Sequence, residues 1–537
     1  MPIDTKCMEK VDLFISAKDL PKIPIMSETD AFSAVFMKNN RTKELDLLGM
    51  TPVIKDTPNP SWSTCFTLDY MFEVEQEITI RTYHYHDGSA QEDFGKHTFL
   101  GEATFLLASL MVAHDQKMSP KLVSGKAKGS LDLRAESHTN TRDLFCAAFQ
   151  GIRLSNKDGF FGTSDPFLVI SRMNEDGQYT VVWKSSKIDN SLNPVWGTVK
   201  ISMNSLCNGD VHRPLKIEIF DWDSNGKHDT MGHVETSVQA MISNPEAQMD
   251  VIEPAKVKTK KTYTNSGHLV AGGAHIEHHP TFTQFLAGGC EISLITAIDF
   301  TGSNGDPELP SSLHYISPTG AMNPYQGAIS AVGRILDEYD TNKRYPVYGF
   351  GAKVREDDDS MSECQHCLPL NEGGRVGGDS TEVHGIPGIL KAYKDCIPKL
   401  FFSGPTLFAP LINAATGIAA GANCRQEQQK YTVLLIITDG MINDMEATKA
   451  AVVAASGQPM SIIIVGVGSA DFSGMKVLDD DKGSLRAGGK AVERDIVQFV
   501  QHTNEEFPIL AQKVLEEIPD QLLKYMESHH IMPNKKK

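Results

Sequence analysis

One ordered set of short signals occurs twice in the first half of the chain, and this repetition limits the possible folds more than any other feature. Each copy has an aspartate after a hydroxyl residue (Asp30, Asp165), then an Asn-Pro-x-Trp motif ending at Trp62 or Trp196, then an apolar run and a glycine. Corresponding signals lie about 135 residues apart, which is enough chain for each copy to form its own domain. The sequence therefore predicts two similar domains in tandem.

The residues between these signals alternate between apolar and polar in short runs. The run 216–220 alternates in this way and the run 167–170 is short and apolar, and both are bounded by Gly, Asn, Asp and Pro. Short alternating runs separated by turn residues are typical of antiparallel β-sandwiches, in which one face of each strand is buried. We predict one sandwich over residues 1–134 and a second over residues 140–250.

The pattern changes at about residue 288, where near-continuous runs of Val, Ile and Leu alternate with helical stretches. Such strands suit a parallel sheet that is covered by helices on both faces. Asn323-Pro324 offers a capping residue followed by a proline, which is a typical helix start. We predict a doubly wound α/β domain over residues 284–528, with strands at 292–298, 346–350, 432–438 and 460–467.

Two further segments lack a strong pattern. Residues 251–283 carry four lysines together with several Gly and His residues, and we interpret them as a linker with a solvated basic run. Residues 529–537 end in three lysines and are predicted to be a basic tail. The chain is thus expected to be multidomain, with two antiparallel β-sandwiches followed by one α/β domain.

Composition and charge exclude several classes of protein. Of the 537 residues 40% are hydrophobic, and no apolar stretch approaches the roughly 18–20 residues that a membrane-spanning helix needs. The first residues lack the apolar core of a secretion signal and the nine cysteines are scattered, so we expect a cytoplasmic protein with reduced thiols. A net charge of −17 argues against nucleic-acid binding and against unaided binding to an anionic membrane.

Five carboxylates of the second repeat are placed where a cation site would need them. Two lie in the loop KDGFFGTSDP and three in FDWDSNGKHD, which follows a predicted strand. Clustered carboxylates repel one another unless a cation is present, and Ca²⁺ accepts about six to eight oxygen ligands in flexible geometry. The alternative is an acidic, solvated loop. The predicted calcium ligands are Asp158, Asp165, Asp221, Asp223 and Asp229.

The Ser-Asp-Pro, Asn-Pro-x-Trp and spaced aspartate features together resemble those of C2 domains. The interval from Asp158 to Asp165 is one residue longer than the C2 pattern, so Asp158 is where the sequence departs from it. The resemblance implies that the loops hold Ca²⁺ incompletely and that a phospholipid headgroup supplies the remaining ligands. Apolar loop tips would then enter the membrane. Phe160 and Phe161 are the predicted insertion residues, and the alternative is that both belong to the core.

The first repeat lacks most of these carboxylates. In YHYHDG, His84 and His86 occupy the positions of two aspartates, and only Asp30, Asp87 and Asp93 remain as acidic candidates. Neutral imidazole suits Zn²⁺ or Cu²⁺ better than Ca²⁺, but two alternating histidines without a third ligand are a weak metal signal. We therefore predict a C2-like domain that has lost calcium binding and serves packing, protein contact or calcium-independent lipid contact.

A second cation site is predicted in the α/β domain. Hydroxyl and carboxylate side chains follow one predicted strand, precede a helix in SGPTLFAP and follow another strand in IITDGMI. Ligands of open α/β sheets gather beyond the carboxyl ends of the strands, and an oxygen shell of this kind suits Mg²⁺. The alternative is that the hydroxyls cap the helices that follow. The predicted ligands are Asp299, Thr301, Ser303, Thr406 and Asp439.

This constellation resembles the metal-ion-dependent adhesion site of von Willebrand factor A domains, with Thr301 where serine is commonest. AIDFTGSNGDP, NPYQGAI and PMSIIIVGVGSADF, together with the domain order, are similar to the copine family. The resemblance implies a cytoplasmic protein that moves to the plasma membrane or other membranes with anionic lipids such as phosphatidylserine when Ca²⁺ rises. It also implies an A domain that recruits partner proteins, whose acidic residue would bind through Mg²⁺ or Mn²⁺.

Signals for catalysis are weak. GSLRAGGK at 483–490 is one residue too long for a P-loop and lacks the following Ser or Thr, and the sequence has no G-x-S-x-G motif. Cys364 and Cys367 form a single C-x-x-C pair without a second one. We therefore expect an adaptor that is not an enzyme. The alternatives are a calcium-independent interaction scaffold and, with less support, a ubiquitin-ligase-like enzyme.

Overall fold

The chain divides into two compact units. Unit 1 consists of Met1–His138 together with Phe282–Lys537, and unit 2 of Thr139–Thr281. Unit 1 therefore contains the first sandwich and the α/β region, and unit 2 contains the second sandwich. The computed structural model describes residues 9–22, 29–123, 128–137, 142–159, 162–174, 177–223, 228–355, 360–371, 381–479, 485–503 and 506–535.

The first sandwich is built from antiparallel strands. The strands are β1 (Glu9–Lys18), β2 (Ala31–Lys38), β3 (Leu45–Met50), β4 (Ser61–Tyr70), β5 (Glu77–His84), β6 (Thr98–Leu106), β7 (Lys117–Met118) and β8 (Ser130–Ser137), with one helix, α1 (Leu107–Val112), and 3₁₀ turns at Phe94–Lys96 and His114–Gln116. They form two sheets, in the orders β4-β1-β8-β7 and β3-β2-β5-β6. Val11, Leu13 and Ile15 alternate along β1 and are buried between the sheets, as expected for strands with one solvated face.

The second sandwich has the same topology. Its strands are β9 (Leu144–Ile152), β10 (Pro166–Met173), β11 (Tyr179–Lys184), β12 (Val195–Ser202), β13 (Leu215–Asp221), β14 (Asp229–Thr236), β15 (Met249–Asp250) and β16 (His268–Glu277), and its helices are α2 (Met203–Cys207), α3 (Val238–Ser243) and α4 (Pro254–Thr259). The sheet orders are β12-β9-β16-β15 and β11-β10-β13-β14. Raising each strand number of the first sandwich by eight gives these orders, so the two sequence copies fold in the same way.

The prediction that residues 251–283 form a linker is wrong. Strand β16 lies in this segment and pairs with β9 along most of its length, from the pair His268↔Ile152 to Glu277↔Leu144. Leu269 and Ala271 of this strand are buried in the core of the second sandwich. The segment was misread because its lysines, four of them over 256–261, belong to α4 and the turn after it, whereas the strand itself begins later.

The α/β region alternates strands and helices. Its strands are β17 (Glu291–Asp299), β18 (Arg344–Phe350), β19 (Ala352–Val354), β20 (Leu368–Pro369), β21 (Glu382–His384), β22 (Leu400–Phe402), β23 (Lys430–Thr438), β24 (Met460–Gly466), β25 (Arg486–Ala487), β26 (Lys490–Ala491) and β27 (Val497–Gln501). Its helices are α5 (Phe282–Ala287), α6 (Pro324–Leu336), α7 (Gly385–Cys396), α8 (Ala409–Gly421), α9 (Met445–Ala455), α10 (Ser473–Leu478), α11 (Phe507–Leu515) and α12 (Ile518–Ser528), with 3₁₀ turns at Gly302–Asn304, Asp337–Tyr339 and Ile397–Lys399.

The main sheet has the order β20-β18-β17-β23-β24-β27, with β21 also paired to β18. Its central five strands are parallel, and the short β20 and β21 are antiparallel additions. The predicted start of α6 is confirmed, because the side chain of Asn323 accepts from the N–H of Gln326 in a capping box. Strands β17 and β23 are neighbours in the sheet, so their carboxyl ends open onto the same edge.

Within unit 1 the first sandwich packs against the α/β region through aromatic side chains. The ring of Phe72 lies 4.9 Å from those of Phe282 and Tyr339, measured between centroids, and belongs to the hydrophobic core of the α/β region. The hydroxyls of Tyr70 and Tyr339 share a buried hydrogen bond of 2.7 Å. Buried apolar contact of this kind is what joins the two parts into one unit.

The end of the chain also differs from the predicted basic tail. Ile531 is buried in the core of the α/β region, and the carbonyl of Met532 accepts hydrogen bonds from the side chains of Gln426 and Gln429. These contacts hold Ile531 and Met532 against the α/β region. None of the helices in the described ranges is both long and apolar enough to cross a membrane.

Candidate metal centres

The predicted site of the α/β region lies at the carboxyl edge of the main sheet. Asp299 is the last residue of β17, and Asp439 directly follows β23, the neighbouring strand. Thr301 and Ser303 belong to the tight turn after β17, and Thr406 lies between β22 and α8. The edge beyond parallel strands is where open α/β sheets bind their ligands.

The oxygen atoms of three of these side chains converge on one small space next to Gly440. A methyl group built on Gly440 would stand 3.2 Å from Oγ1 of Thr406, 3.8 Å from Oγ of Ser303 and 3.9 Å from Oδ2 of Asp299. Because one point lies within 4 Å of all three atoms, side chains from the end of β17 and the turn after it and from the segment before α8 meet there, beside the backbone that follows β23.

Hydrogen bonds bring the two remaining candidates into the same group. The hydroxyls of Thr301 and Ser303 are 3.0 Å apart, and Ser303 donates to Oδ1 of Asp439 at 2.9 Å. The N–H of Thr301 donates to Oδ1 of Asp299 at 2.8 Å. The structure therefore brings together all five residues predicted from the sequence.

Burial makes the two carboxylates costly to ionise. Asp299 is fully buried, and this burial raises the pKa of its carboxyl to about 6, although hydrogen bonds from Thr438 and Thr301 lower it. Burial also raises the pKa of Asp439. A divalent cation beside both groups would favour their charged forms, and two carboxylates with three hydroxyls are oxygen donors of the kind that Mg²⁺ and Mn²⁺ prefer. The residues present therefore fit such an ion.

Sequence reasoning missed residues that hold the candidate ligands in place. Asn304 donates through its amide to Oδ1 of Asp439 at 2.8 Å, and Thr438 donates through its hydroxyl to Oδ2 of Asp299. Both stand next to predicted ligands in the chain, Asn304 after Ser303 and Thr438 before Asp439, and this adjacency was the available signal. A polar side chain beside a ligand is a natural supporting partner.

A buried histidine supports the backbone of the site. Nε2 of His314 donates to the carbonyl of Asp299 at 2.7 Å, and Nδ1 accepts from the hydroxyl of Tyr393 at 2.8 Å. Burial lowers the pKa of His314 to about 3, so the imidazole is neutral at physiological pH. Nothing in the sequence distinguishes this histidine from an exposed one, because its partners are distant in the chain.

In the second sandwich, the predicted calcium ligands come from two loops at one end. Asp221 ends β13 and stands opposite Asp229, the first residue of β14, while Asp165 directly precedes β10. Asp221 is buried, and its Oδ1 accepts from the N–H of Asp165 at 2.6 Å. The N–H of Asp223 donates to Nδ1 of His228 at 3.0 Å, which fixes the start of that loop.

The five aspartates form one electrostatic cluster. Partial desolvation and then the negative charges of the other four, Asp221, Asp165, Asp223 and Asp229, raise the pKa of Asp158. In the part of the chain that the structure describes, no three Asp, Glu, His or Cys side chains are gathered closely enough to hold a metal ion. The cluster therefore has the donor chemistry that suits Ca²⁺ without being arranged as a closed shell. Phe160 and Phe161 lie outside the described residues.

In the first sandwich the histidines use their nitrogens for the fold itself. Nδ1 of His84 accepts from the N–H of Asp30 at 3.0 Å. Nδ1 of His97 accepts from the N–H of His86 at 3.2 Å, and its Nε2 donates to the carbonyl of Ala90 at 3.0 Å. Nδ1 of His84 and both nitrogens of His97 are thus engaged in hydrogen bonds that support the fold.

Comparisons with known proteins agree with this architecture. The C2 domain model matches residues 13–122 and 142–253, and the copine model matches residues 312–534. Over 98% of this chain and 85% of the relative, the sequence is 37% identical to Copine-A of Dictyostelium discoideum. The chain belongs to the copine family. The predicted fold class is thus confirmed: two C2 domains precede an α/β region of the copine, von Willebrand factor A-like type.

Solved structures with C2 domains are also similar to parts of this chain. One is BON1-C2B, with 27% identity over 26% of this chain and 93% of that one, at a TM-score of 0.22. Another is the calcium-bound pair of C2 domains of Extended-Synaptotagmin 2, with 13% identity over 51% of this chain and 98% of that one, also at a TM-score of 0.22. The region that the copine family model matches begins after Asp299, Thr301 and Ser303, and it includes Thr406 and Asp439.

Proposed function

We propose that this copine is an adaptor, not an enzyme, that binds phospholipid membranes when Ca²⁺ rises and presents partner proteins there. The observation that carries the proposal is the cluster of aspartates at the loop end of the second C2 domain, where partial desolvation and then the charges of four neighbouring aspartates raise the pKa of Asp158. Such a cluster is unfavourable without a cation, and Ca²⁺ is the cation that flexible loop carboxylates suit best.

Calcium would reverse the sign of the electrostatic potential at this loop end. Asp165, Asp221, Asp223 and Asp229, with Asp158 at the margin, would hold the ion and leave positions for lipid headgroup oxygens. A chain of net charge −17 needs such a local reversal to approach an anionic surface such as one rich in phosphatidylserine. Phe160 and Phe161 would enter the membrane, and each contributes roughly 1.5–3 kcal/mol if fully buried. The protein would therefore be cytoplasmic at low Ca²⁺ and peripheral at the plasma membrane or other membranes when Ca²⁺ rises.

Liposome sedimentation tests this mechanism. Full-length protein is mixed with phosphatidylserine-containing vesicles in Ca²⁺ or in chelator, and wild type is expected to pellet only in Ca²⁺. Replacing Asp221 and Asp223 by Asn should abolish the calcium-dependent part of the sedimentation with vesicles. Asp210→Asn, at an exposed aspartate of the same domain outside both loops, should behave like wild type. Binding that neither chelator nor the double substitution changes would contradict the proposal and favour a calcium-independent scaffold.

We further propose that the copine domain captures partners through a divalent cation. Asp299, Thr301, Ser303, Thr406 and Asp439 would hold Mg²⁺ or Mn²⁺, and the ion would bind an acidic side chain of the partner. The support is the convergence of the oxygens of Thr406, Ser303 and Asp299 beside Gly440. Asn304, Thr438 and His314 would keep these ligands in position through the hydrogen bonds that they make.

Mn²⁺ binding tests the copine-domain site directly, with free ion measured by electron paramagnetic resonance. Asp299→Asn and Thr406→Ala should each lose one tightly bound ion. Gly440→Ala should weaken the same site, because its methyl group would stand 3.2 Å from the hydroxyl of Thr406. Gly421→Ala is the matched control, since a methyl group there meets no atom within 4 Å.

Partner capture from a cell extract then uses the same variants. Proteins that wild type retains and a chelator releases should be absent from the Asp299→Asn and Thr406→Ala eluates. If all variants bind as much Mn²⁺ and retain the same proteins as wild type, the site has only a structural role.

A further inference from the structure

A lysine lies at the calcium cluster of the second C2 domain. Nζ of Lys187, in the segment between β11 and β12, is 3.2 Å from Oδ2 of Asp165. The same ammonium pairs with Asp189 and lies 4.6 Å from the ring centroid of Trp222, the residue between two of the predicted calcium ligands. It is partly shielded from solvent, with 34% of its side chain exposed.

The ammonium contacts the same carboxylate that a bound calcium ion would need as a ligand. Oδ1 of Asp165 already accepts from the N–H of Asn190 at 2.7 Å, so Oδ2 is the oxygen that faces the lysine. Two cations next to a single oxygen repel each other strongly, since their Coulomb energy varies inversely with distance. Lys187 and an ion bound to Asp165 therefore disfavour each other at this oxygen.

The first C2 domain has no such lysine at the equivalent place. Asp56 and Asn190 are equivalent because each donates its N–H to the leading aspartate of its own domain, Asp30 or Asp165. Counting back three residues from these donors gives Val53 in the first domain and Lys187 in the second. Lys55 of the first domain lies near Asp30 but pairs with Asp87, so it is the direct pairing of a lysine with the leading aspartate that accompanies the carboxylate cluster.

We propose that Lys187 is a built-in counter-ion that competes with Ca²⁺ for Asp165 and so raises the calcium concentration at which the second C2 domain binds. The inference rests on the proposed function, because it presumes that this domain binds Ca²⁺. In the calcium-free protein the ammonium offsets part of the repulsion among the aspartates. When calcium binds, it displaces the ammonium, and the indole of Trp222 and the carboxylate of Asp189 are both within reach to retain it.

A neighbouring lysine provides the matched control. Lys184, the last residue of β11, lies over the ring of Phe167 at 4.3 Å and is three positions from Lys187. Removing either side chain changes the net charge of the domain equally. Only the removal of Lys187 takes an ammonium away from the Asp165 carboxylate of the cluster. The comparison therefore separates direct competition from a general change of charge.

The experiment is a calcium titration of the full-length protein by isothermal calorimetry, with wild type, Lys187→Met, Lys187→Gln and Lys184→Met. Both Lys187 variants are expected to bind Ca²⁺ with a dissociation constant about two- to fivefold lower, which is the range for a partly exposed ion pair. Lys184→Met should show less than half of that change. A second measurement is the calcium dependence of liposome pelleting, whose midpoint should shift by the same factor.

Three results would overturn the inference. Unchanged affinity in both Lys187 variants means that the ammonium does not compete, and an equal gain in Lys184→Met means that only net charge matters; in both cases the proposed calcium function stands. If wild type takes up no Ca²⁺ at all, the proposed function fails and the inference fails with it. Calcium uptake by wild type therefore separates the two failures.

Discussion

In the two C2 domains, different side chains accept the hydrogen bond from the N–H of the leading aspartate. In the second domain the N–H of Asp165 donates to Oδ1 of Asp221 at 2.6 Å, and in the first the N–H of Asp30 donates to Nδ1 of His84 at 3.0 Å. A carboxylate that accepts this hydrogen bond with one oxygen still has a second oxygen that can bind a cation. A neutral imidazole that accepts it with one nitrogen carries a proton on the other nitrogen, which therefore cannot bind a cation. One exchange of side chain therefore preserves this hydrogen bond and removes a carboxylate oxygen that could bind a cation.

The two domains also belong to different compact units. Tyr70 and Phe72 of the first domain are buried against Tyr339 and Phe282, so this domain is part of the same compact unit as the copine domain. The second domain forms a compact unit by itself. The first domain, whose loop has a histidine where the second has an aspartate, therefore contributes to the packing of unit 1, whereas the second domain keeps the acidic loops.

The largest effect is expected from breaking that packing. Phe72→Ala should destabilise unit 1 by roughly 3–5 kcal/mol, because a fully buried aromatic ring is replaced by a cavity. Hydrogen exchange of unit 1 peptides measures the loss separately from unit 2. Phe99→Ala, which truncates an exposed phenylalanine of the same sandwich, should cost much less. Equal effects of the two substitutions would mean that the interface does not stabilise the unit.

The next effect concerns the exchange of aspartate for histidine. Asp221→His makes the second loop like the first and should raise the calcium needed for half-maximal liposome binding by at least about tenfold, since one charged ligand is lost. The loop should still fold, because an imidazole can accept the N–H of Asp165 as His84 accepts that of Asp30. Asp87→Asn in the first domain is the control and should change nothing. A response to Asp87→Asn would show that the first domain also binds calcium.

The sequence indicated the architecture because its signals were local and repeated. Asp299, Thr301 and Ser303 could be predicted as a group because they follow a strand at close spacing. Asp439 could be predicted because strand ends meet at one sheet edge, and Thr406 from its place ahead of a helix. Strand β16 was missed, since its two glycines and the lysines before it indicated a linker. The roles of His314 and Lys187 depend on side chains brought close only by folding, and no pattern in the sequence encodes those distances.

The smallest expected effect is a pH dependence of the stability of unit 1 that arises from His84. Burial lowers the pKa of His84, and the nearby imidazoles of His86 and His97 lower it further while Asp30 opposes them. An unfolded histidine therefore binds a proton at a pH where the folded His84 does not, so the stability of unit 1 should fall as the pH drops below about 6.5. The contribution of one such group cannot exceed about 1.4 kcal/mol per pH unit.

His84→Asn separates this effect from the rest of the protein. An asparagine side-chain oxygen can still accept the N–H of Asp30 but does not titrate, so the variant should lose less stability than wild type between pH 7.5 and 5.5. Hydrogen exchange of strands β2 and β5, which hold Asp30 and His84 together, reports the difference. If both proteins lose the same stability over this range, His84 does not contribute to the pH dependence of unfolding.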